Sequence, residues 1–506
     1  MCGLKKVEFG GVSNHHILYY VHPRLFPSNG RTDQVCPRVT INKLPDEVLL
    51  EIFEIYMACP LLPRSHKEDA WHTLVHVCQR WRHVVFGSPC RLDLRLLCIN
   101  RRSAKTLDMW PELPIAIHVD DEKFCQPPGV VDVISMLKRH GRVCQISIDS
   151  APNSFLKEVA AMNETFPALI ELKLASFEED PPILPDSFLG GSVPRLRSLN
   201  LSGIPFPGLG KLLSSTHNLV FLSLGFIPPS RNFSPEAMVD ILSTLTKLEV
   251  LHLNFDHSET PQFLARRASQ RPPAPTRVAL PSLTRFAFYG HSEYLENMAS
   301  YIDAPLDHIV VTFSNQPVFS DMPLLRDFIC RTGIFDALPR LDIFLSNIDS
   351  RIALFQQTGD DDSDVLNLEV PYPRDAVESR LSSLAQACST FLPPLPSLEH
   401  LTIYNSLIFP FQWQHEVDNN QWIELLRPFT TVKDLIVDKG VALSVAPALQ
   451  EFVGERVTEI LPGLQNIFLE GSPPSGQVPE GIAKFVAARE LSGHPVIVHH
   501  RERRYY

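Results

Sequence analysis

What the chain lacks narrows its reading first. No apolar run approaches the roughly 18 residues needed to span a bilayer, so no membrane segment is expected. The opening residues, MCGLKKVEFGGVSNHHILYYVHPRL, contain no secretory apolar stretch. The ten cysteines form no CxxC pair and are scattered over 506 residues, which reads as reduced thiols of an intracellular protein, cytoplasmic or nuclear, and not as a disulfide framework. Positive charge is also short. Against 57 acidic side chains stand 46 Lys and Arg, a net charge of −11, which argues against nucleic acid as a general partner.

Catalytic constellations are missing as well. There is no GxSxG. HTLVH sets His72 and His76 four apart but carries Thr73 where a metalloprotease needs its glutamate, so it reads as a solvated or packed helix. PGLGKLL lacks the third glycine and the Lys-Ser/Thr of a phosphate loop. GDDDSD, at residues 359–364, lacks the glycine and distal glutamate of a calcium loop and reads as a solvated acidic turn. The expectation is therefore no enzyme, no metal and no cofactor. RRAS, Arg266 to Ser269, has a basophilic-kinase pattern within a proline-rich stretch, 264–281, that reads as an inserted linker, and the basic tail HHRERRYY reads as a frayed end.

What is present falls into two textures. Residues 1–40 show little periodicity and read as a loosely ordered lead-in. At Leu44 a helix pattern begins, with Pro45 fitting a first helical position and Asp46 and Glu47 placing negative charge at the positive helix end. Val48, Leu49, Ile52, Phe53 and Tyr56 recur at helical spacing as one apolar face. A second helix is expected over WHTLVHVCQRWRHVVF, with Leu74, Cys78, Trp81 and Val85 on one side and Gly87-Ser88-Pro89 ending it.

From Val143 onward a pattern apolar-x-x-apolar-x-apolar recurs: VCQISI, LIELKL, LRSLNL, LVFLSL, LEVLHL, LTRFAF, LDHIVV, LPRLDI, LEHLTI, VKDLIV and LQNIFL. The period is mostly about 23 to 35 residues, in or near the range of leucine-rich repeats. In LEVLHL, Leu251 and Leu253 are two apart and share one face of a strand, with Leu248 covering the core from the preceding turn. The spacers read as helices: Ser234 is a candidate N-cap with Pro235 after it and Met238, Ile241, Leu242 and Leu245 inward, and SEYLENMASYIDAP repeats the design with Ser292, Leu295, Met298 and Ile302. DVLNLEV reads as a degenerate repeat with Leu366, Leu368 and Val370 inward. The expected fold is α/β, a small helical module followed by a curved αβ solenoid of parallel strands. Its divisions are the lead-in 1–40, the helical module 41–91, a linker and N-terminal cap 92–142 containing the strand LPIAIHVD, and the repeats 143–506.

The helical module, LPDEVLLEIFEIY…VHVCQRWRHVV, resembles the F-box through Leu44, Pro45, Glu47, Ile52, Phe53, Val77, Cys78, Trp81 and Arg82. With leucine-rich repeats behind it, the whole chain is similar to the F-box proteins expanded in mushroom-forming fungi. The resemblance implies that those nine residues dock on a Skp-type adaptor protein, and through it a cullin, and that the repeats hold a protein substrate for an SCF-type cullin-RING ubiquitin ligase. The alternative is a leucine-rich-repeat scaffold that binds a partner with no part in ubiquitin transfer. On the face away from the core, aromatic and charged residues of the later repeats are the expected substrate contacts: Arg285, Tyr289, Arg340, Asp342, Phe344, His400 and Tyr404.

Overall fold

A computed structural model of the chain describes residues 41–58, 70–98, 107–119, 129–227, 234–255, 277–314, 319–346, 349–356, 364–371, 380–405, 418–471 and 477–501. The chain divides into two compact units, Met1–Cys59 and Pro60–Tyr506. The division falls inside the 41–91 module.

In the first unit the described elements are a 3-10 turn, Ile41–Lys43, and one helix, Asp46–Ala58. The turn closes when the Leu44 N–H donates to the Ile41 carbonyl at 3.2 Å. Pro45 stands one residue ahead of the helix, and its carbonyl accepts from the Leu49 N–H at 3.1 Å. Its own missing N–H is of no consequence there.

The second unit is an α/β body built on one large, mostly parallel sheet. Its strands are β1 (Leu96–Cys98), β2 (Ile115–Val119), β3 (Val143–Ile148), β4 (Glu171–Ala175), β5 (Ser198–Ser202), β6 (Phe221–Ile227), β7 (Val250–Phe255), β9 (Arg285–Gly290), β11 (His308–Phe313), β12 (Arg340–Leu345), β13 (Asp349–Phe355), β14 (Asp364–Pro371), β15 (His400–Asn405), β16 (Asp434–Asp438), β17 (Asn466–Glu470) and β18 (Ile497–Arg501). A separate parallel pair joins β8 (Val278–Ala279) to β10 (Ile302–Asp303). The large sheet runs β1-β2-β3-β4-β5-β6-β7-β9-β11-β14-β13-β12-β15-β16-β17-β18. Among the described residues sheet structure thus starts at Leu96, ahead of the first recurring copy at Val143, and β1 lies outside the strand LPIAIHVD.

The recurring pattern explains the parallel steps between its copies. The first leucine of a copy closes a turn: Leu196, Leu219, Leu248, Leu283, Leu398 and Leu464 each donate an N–H to the carbonyl three residues earlier. The next two N–H groups then converge on one carbonyl of the preceding copy. Glu249 and Val250 both donate to the Val220 carbonyl at 2.8 and 3.0 Å, and Thr284 and Arg285 both donate to the Glu249 carbonyl at 3.0 Å. This lock sets the register, so that Leu222, Leu251 and Phe286 stand side by side on neighbouring strands. All three are buried, as are Leu248 and Leu253. Only period-2 alternation keeps such a row on the core face from strand to strand.

Spacer helices close the core. Ser234 caps Pro235–Leu242 by accepting from the Ala237 N–H at 3.2 Å, and Met238, Leu242 and Leu245 are buried. In the next spacer the helix is Ser292–Ala299 with His291 at the N-cap, so Ser292 is its first residue and not its cap. Ile302 leaves the helical design altogether and enters β10. Close packing fixes one backbone site: Gly203 has φ +69°, and a Cβ there would lie 2.0 Å from the Ser176 carbonyl oxygen.

The expectation of uninterrupted parallel strands fails in one place. After β11 the chain skips two positions to lay down β12, returns antiparallel through β13, and fills the gap beside β11 with β14. Leu366, Leu368 and Val370 are inward on β14, yet β14 does not separate β12 from β15, which pair directly. Within this meander the unforeseen strand is β13, DSRIALF, whose Ile352 and Leu354 are buried. Its alternation is plain, but without the leading leucine turn it has no place in the repeat pattern.

Candidate functional site

Two surfaces hold the residues singled out from the sequence. The first is the helical segment. On Asp46–Ala58 the apolar residues do not act as one face. Leu49 and Phe53 are fully buried, whereas Val48, Ile52 and Ile55 are exposed, Ile55 by 73%. These three lie at i, i+4 and i+7, a single exposed apolar stripe. Pro45 and Glu47 are exposed beside it in sequence, and Leu44 is half-buried.

Within the second unit, the single helix expected over 71–86 is two: Ala70–Val75 and Gln79–Gly87. The break is made by Cys78. Its backbone is extended, and its Sγ accepts from the Trp81 N–H at 3.5 Å as a thiol N-cap. Arg82 Nε donates to the Val75 carbonyl at 3.0 Å, tying the second helix to the end of the first. Cys78 and Arg82 are both solvent-exposed at the surface, Trp81 is half-buried, and Val77 in the turn is 55% exposed. The same break leaves His76 beyond the end of its helix, and His72 stacks on Trp110 with ring centroids 5.1 Å apart. Trp71, which the sequence reading passed over, anchors the segment: it is fully buried, its Nε1 donates to the Arg95 carbonyl at 3.0 Å, and Phe86 and Trp110 meet it edge-on. A tryptophan opening an apolar run, with a second at Trp110, was the available signal.

The second surface is the sheet face away from the core, where β12 and β15 are in register as expected: Arg340 beside His400, Asp342 beside Thr402, Phe344 beside Tyr404. Accessibility is another matter. Arg340, Asp342 and Tyr404 are buried, Asp342 completely. Arg340 grips Asp342 with two bonds, Nε to Oδ1 at 2.9 Å and an Nη to Oδ2 at 2.6 Å, and the Tyr404 hydroxyl donates to Asp342 Oδ2 at 3.4 Å. The physical reason is β13. It places Phe355 opposite Arg340 and Arg351 opposite Phe344, so the Arg340 guanidinium lies 4.7 Å from the Phe355 ring and that of Arg351 lies 4.9 Å from Phe344. Phe344 itself meets Tyr404 edge-on at 4.1 Å. Three residues expected to be open contacts are therefore parts of an internal network.

A second set of contacts runs toward the last strand. His400 Nδ1 lies 3.0 Å from Asp434, which also accepts from Asn466 Nδ2 at 2.7 Å, while Asn466 Oδ1 is 3.1 Å from His499 Nε2. His499 stacks on Phe468, and the Arg501 guanidinium is 3.6 Å from the same ring. On the other side of β13, Glu369 of β14 accepts from the Thr312 hydroxyl at 3.1 Å. Burial, with Asp349 nearby, pushes the Glu369 carboxyl above its ordinary pKa. Of the remaining expected contacts, Arg285 is exposed, and Tyr289, Phe344 and His400 are half-buried.

Among the described residues no three His, Cys, Asp or Glu side chains are grouped to hold a metal ion, and no helix is long and apolar enough to cross a membrane. The six described cysteines, Cys78, Cys90, Cys98, Cys144, Cys330 and Cys388, are free thiols. Ser269 with its arginines, the acidic turn up to Ser363, the lead-in 1–40 and the tail beyond Arg501 lie outside the described residues. No protein-family model matches the chain, and no match to it is found among curated proteins.

Proposed function

We propose that the chain is an F-box protein with leucine-rich repeats, an intracellular substrate-recognition adaptor of an SCF-type cullin-RING ubiquitin ligase and not itself a catalyst. The observation that carries this reading is the exposed stripe of Val48, Ile52 and Ile55 on a helix that already buries Leu49 and Phe53. An amphipathic helix satisfied on one side has no internal use for a second apolar stripe, and a partner is the ordinary reason to keep one. The stripe includes one of the nine F-box-like residues. Val77, another of them, is exposed, whereas Cys78 and Arg82 shape the turn between the short helices.

The sheet that follows supplies the recognition half of the reading. Strands β5, β6, β7, β9 and β11, in fixed register, present an outward face of half-buried and exposed side chains, and a target protein binds there. The test is capture. The full chain, tagged and expressed in cells, is expected to co-purify with a Skp-type adaptor and a cullin, identified by mass spectrometry. Recovery of other partners with neither of these favours the scaffold without ubiquitin transfer.

A further inference from the structure

The exposed stripe on Asp46–Ala58 runs beside a row of carboxylates. Glu47 and Glu51 each precede a stripe residue, Val48 and Ile52, by one position, and both are exposed. Being four apart, they stack one turn above the other along one side of the stripe. The helix itself carries no Lys or Arg; its charged residues are Asp46, Glu47, Glu51 and Glu54. Lys43, exposed in the 3-10 turn ahead of the helix, is the one base described in this unit, and neither Glu47 nor Glu51 has an ion pair among the described residues.

Such a row works against the helix that carries it. Like charges at i, i+4 repel, and only carboxylates in the first turn gain from the positive helix end. Asp46 and Glu47 stand in that turn, whereas Glu51 does not. Elsewhere the chain answers a helix charge one turn away on the same helix: in Glu480–Leu491, Lys484 Nζ lies 2.7 Å from Glu480. The stripe has its own signature. Val48, Ile52 and Ile55 are four and then three residues apart, the spacing of a seam between two packed helices. In such a pair the residues flanking the seam meet opposite charges on the partner, and Glu51, one residue before the central Ile52, holds that flanking place.

We infer that Val48, Ile52 and Ile55 pack against a partner helix whose apolar seam is bordered by Lys or Arg, and that Glu47 and Glu51 meet this border. Both halves of the surface, an unpartnered 4-3 seam and a self-repelling row beside it, are answered by one occupant of that chemistry. The inference rests on the reading that this stripe docks the adaptor, and it names the kind of adaptor surface required. The apolar contact supplies affinity. The rim carboxylates set the direction of the partner helix and speed its approach, so they act mainly on the association rate and its dependence on salt.

The experiment uses the full chain and measures association with a purified Skp-type adaptor at about 50 and about 300 mM salt. The association rate is expected to fall about tenfold with the added salt. Glu47→Gln with Glu51→Gln is expected to keep the melting temperature, slow association about tenfold at the lower salt and flatten the salt dependence. Adaptor binding indifferent to salt and to this double variant overturns the basic border and leaves the ligase reading standing. No adaptor binding at either salt removes the ligase reading, and two amphipathic helical peptides then decide the face, one of Leu and Lys and one of Leu and Glu. Tighter binding of the Leu-Lys peptide, weakened about tenfold both by the double variant and by Ile52→Ser, upholds the inference. Equal binding of the two peptides, or undiminished binding in Ile52→Ser, overturns it.

Discussion

Strands β5, β6, β7 and β9 and strands β12 and β15 share one construction toward the core and part company on the other side. In the first group Ser198, Asn200, Phe221, Ser223, His252 and Asn254 are all half-buried, and Asn200, Ser223 and His252 stand side by side in one row. In the second group Arg340, Asp342, Thr402 and Tyr404 are buried. Core-facing residues do not distinguish the two, since Leu251 and Leu253 are as buried as Leu341 and Ile343. The cause is the neighbour. An antiparallel strand beside β12 brings Arg351 and Phe355 over its outward face, and Arg340 is buried only because Asp342 answers its charge. Position in a repeat decides which way a side chain points. The size and charge of what stands next to it decide whether it is open.

The comparison can be broken at its shared foundation. Leu251→Asp puts a carboxylate between Leu222 and Phe286 with no partner, and is expected to cost on the order of 5 kcal/mol or unfold the sheet. His252→Ala, one residue along, is expected to stay within about 1 kcal/mol in the same urea titration. Equal losses would mean the inward and outward faces are misassigned.

The outward faces are separated by a second pair of variants. Asp342→Ala strands the Arg340 guanidinium in a buried site and is expected to cost about 3–5 kcal/mol, whereas Arg285→Ala on the open face is expected to cost within about 0.5 kcal/mol. Matching midpoints for the two would deny that the faces differ. For the same reason Phe344→Ala with Tyr404→Ala is expected to lower the melting temperature, since those rings pack on each other.

The smallest effect concerns pH. A carboxyl whose pKa is raised by folding binds its proton more firmly in the folded state, so stability falls as pH climbs from the ordinary carboxylate value through the raised one. Glu369→Gln removes that loss. Its melting temperature is expected to equal or exceed that of the parent at neutral pH, with the difference gone near about pH 4. A variant less stable at neutral pH than at acid, relative to the parent, would contradict the sign.

Much of this was legible in the residues. Leu248, Leu251 and Leu253 announce both the turn and the strand, because the leading leucine closes an i to i−3 hydrogen bond and alternation does the rest. Ser234 and Pro235 announce a helix start for equally local reasons. The meander was not legible. DSRIALF alternates like any strand, and nothing within it says that it pairs backward with β12, since strand order is set by packing over many residues. The burial of Arg340, Asp342 and Tyr404 follows from that pairing, so it was hidden with it. The break at Cys78 was missed because a cysteine is an uncommon N-cap and the apolar spacing ran through it unbroken.

Adaptor capture is the most direct test of the proposed function. Val48 and Ile52 are exposed, so Val48→Asp with Ile52→Asp adds charge without burying it in the free chain, and the melting temperature is expected to hold. In the docked state the same carboxylates are desolvated against an apolar partner, and binding of a purified Skp-type adaptor, measured by calorimetry, is expected to weaken by about a hundredfold or more. Undiminished adaptor affinity in that double variant would contradict the account.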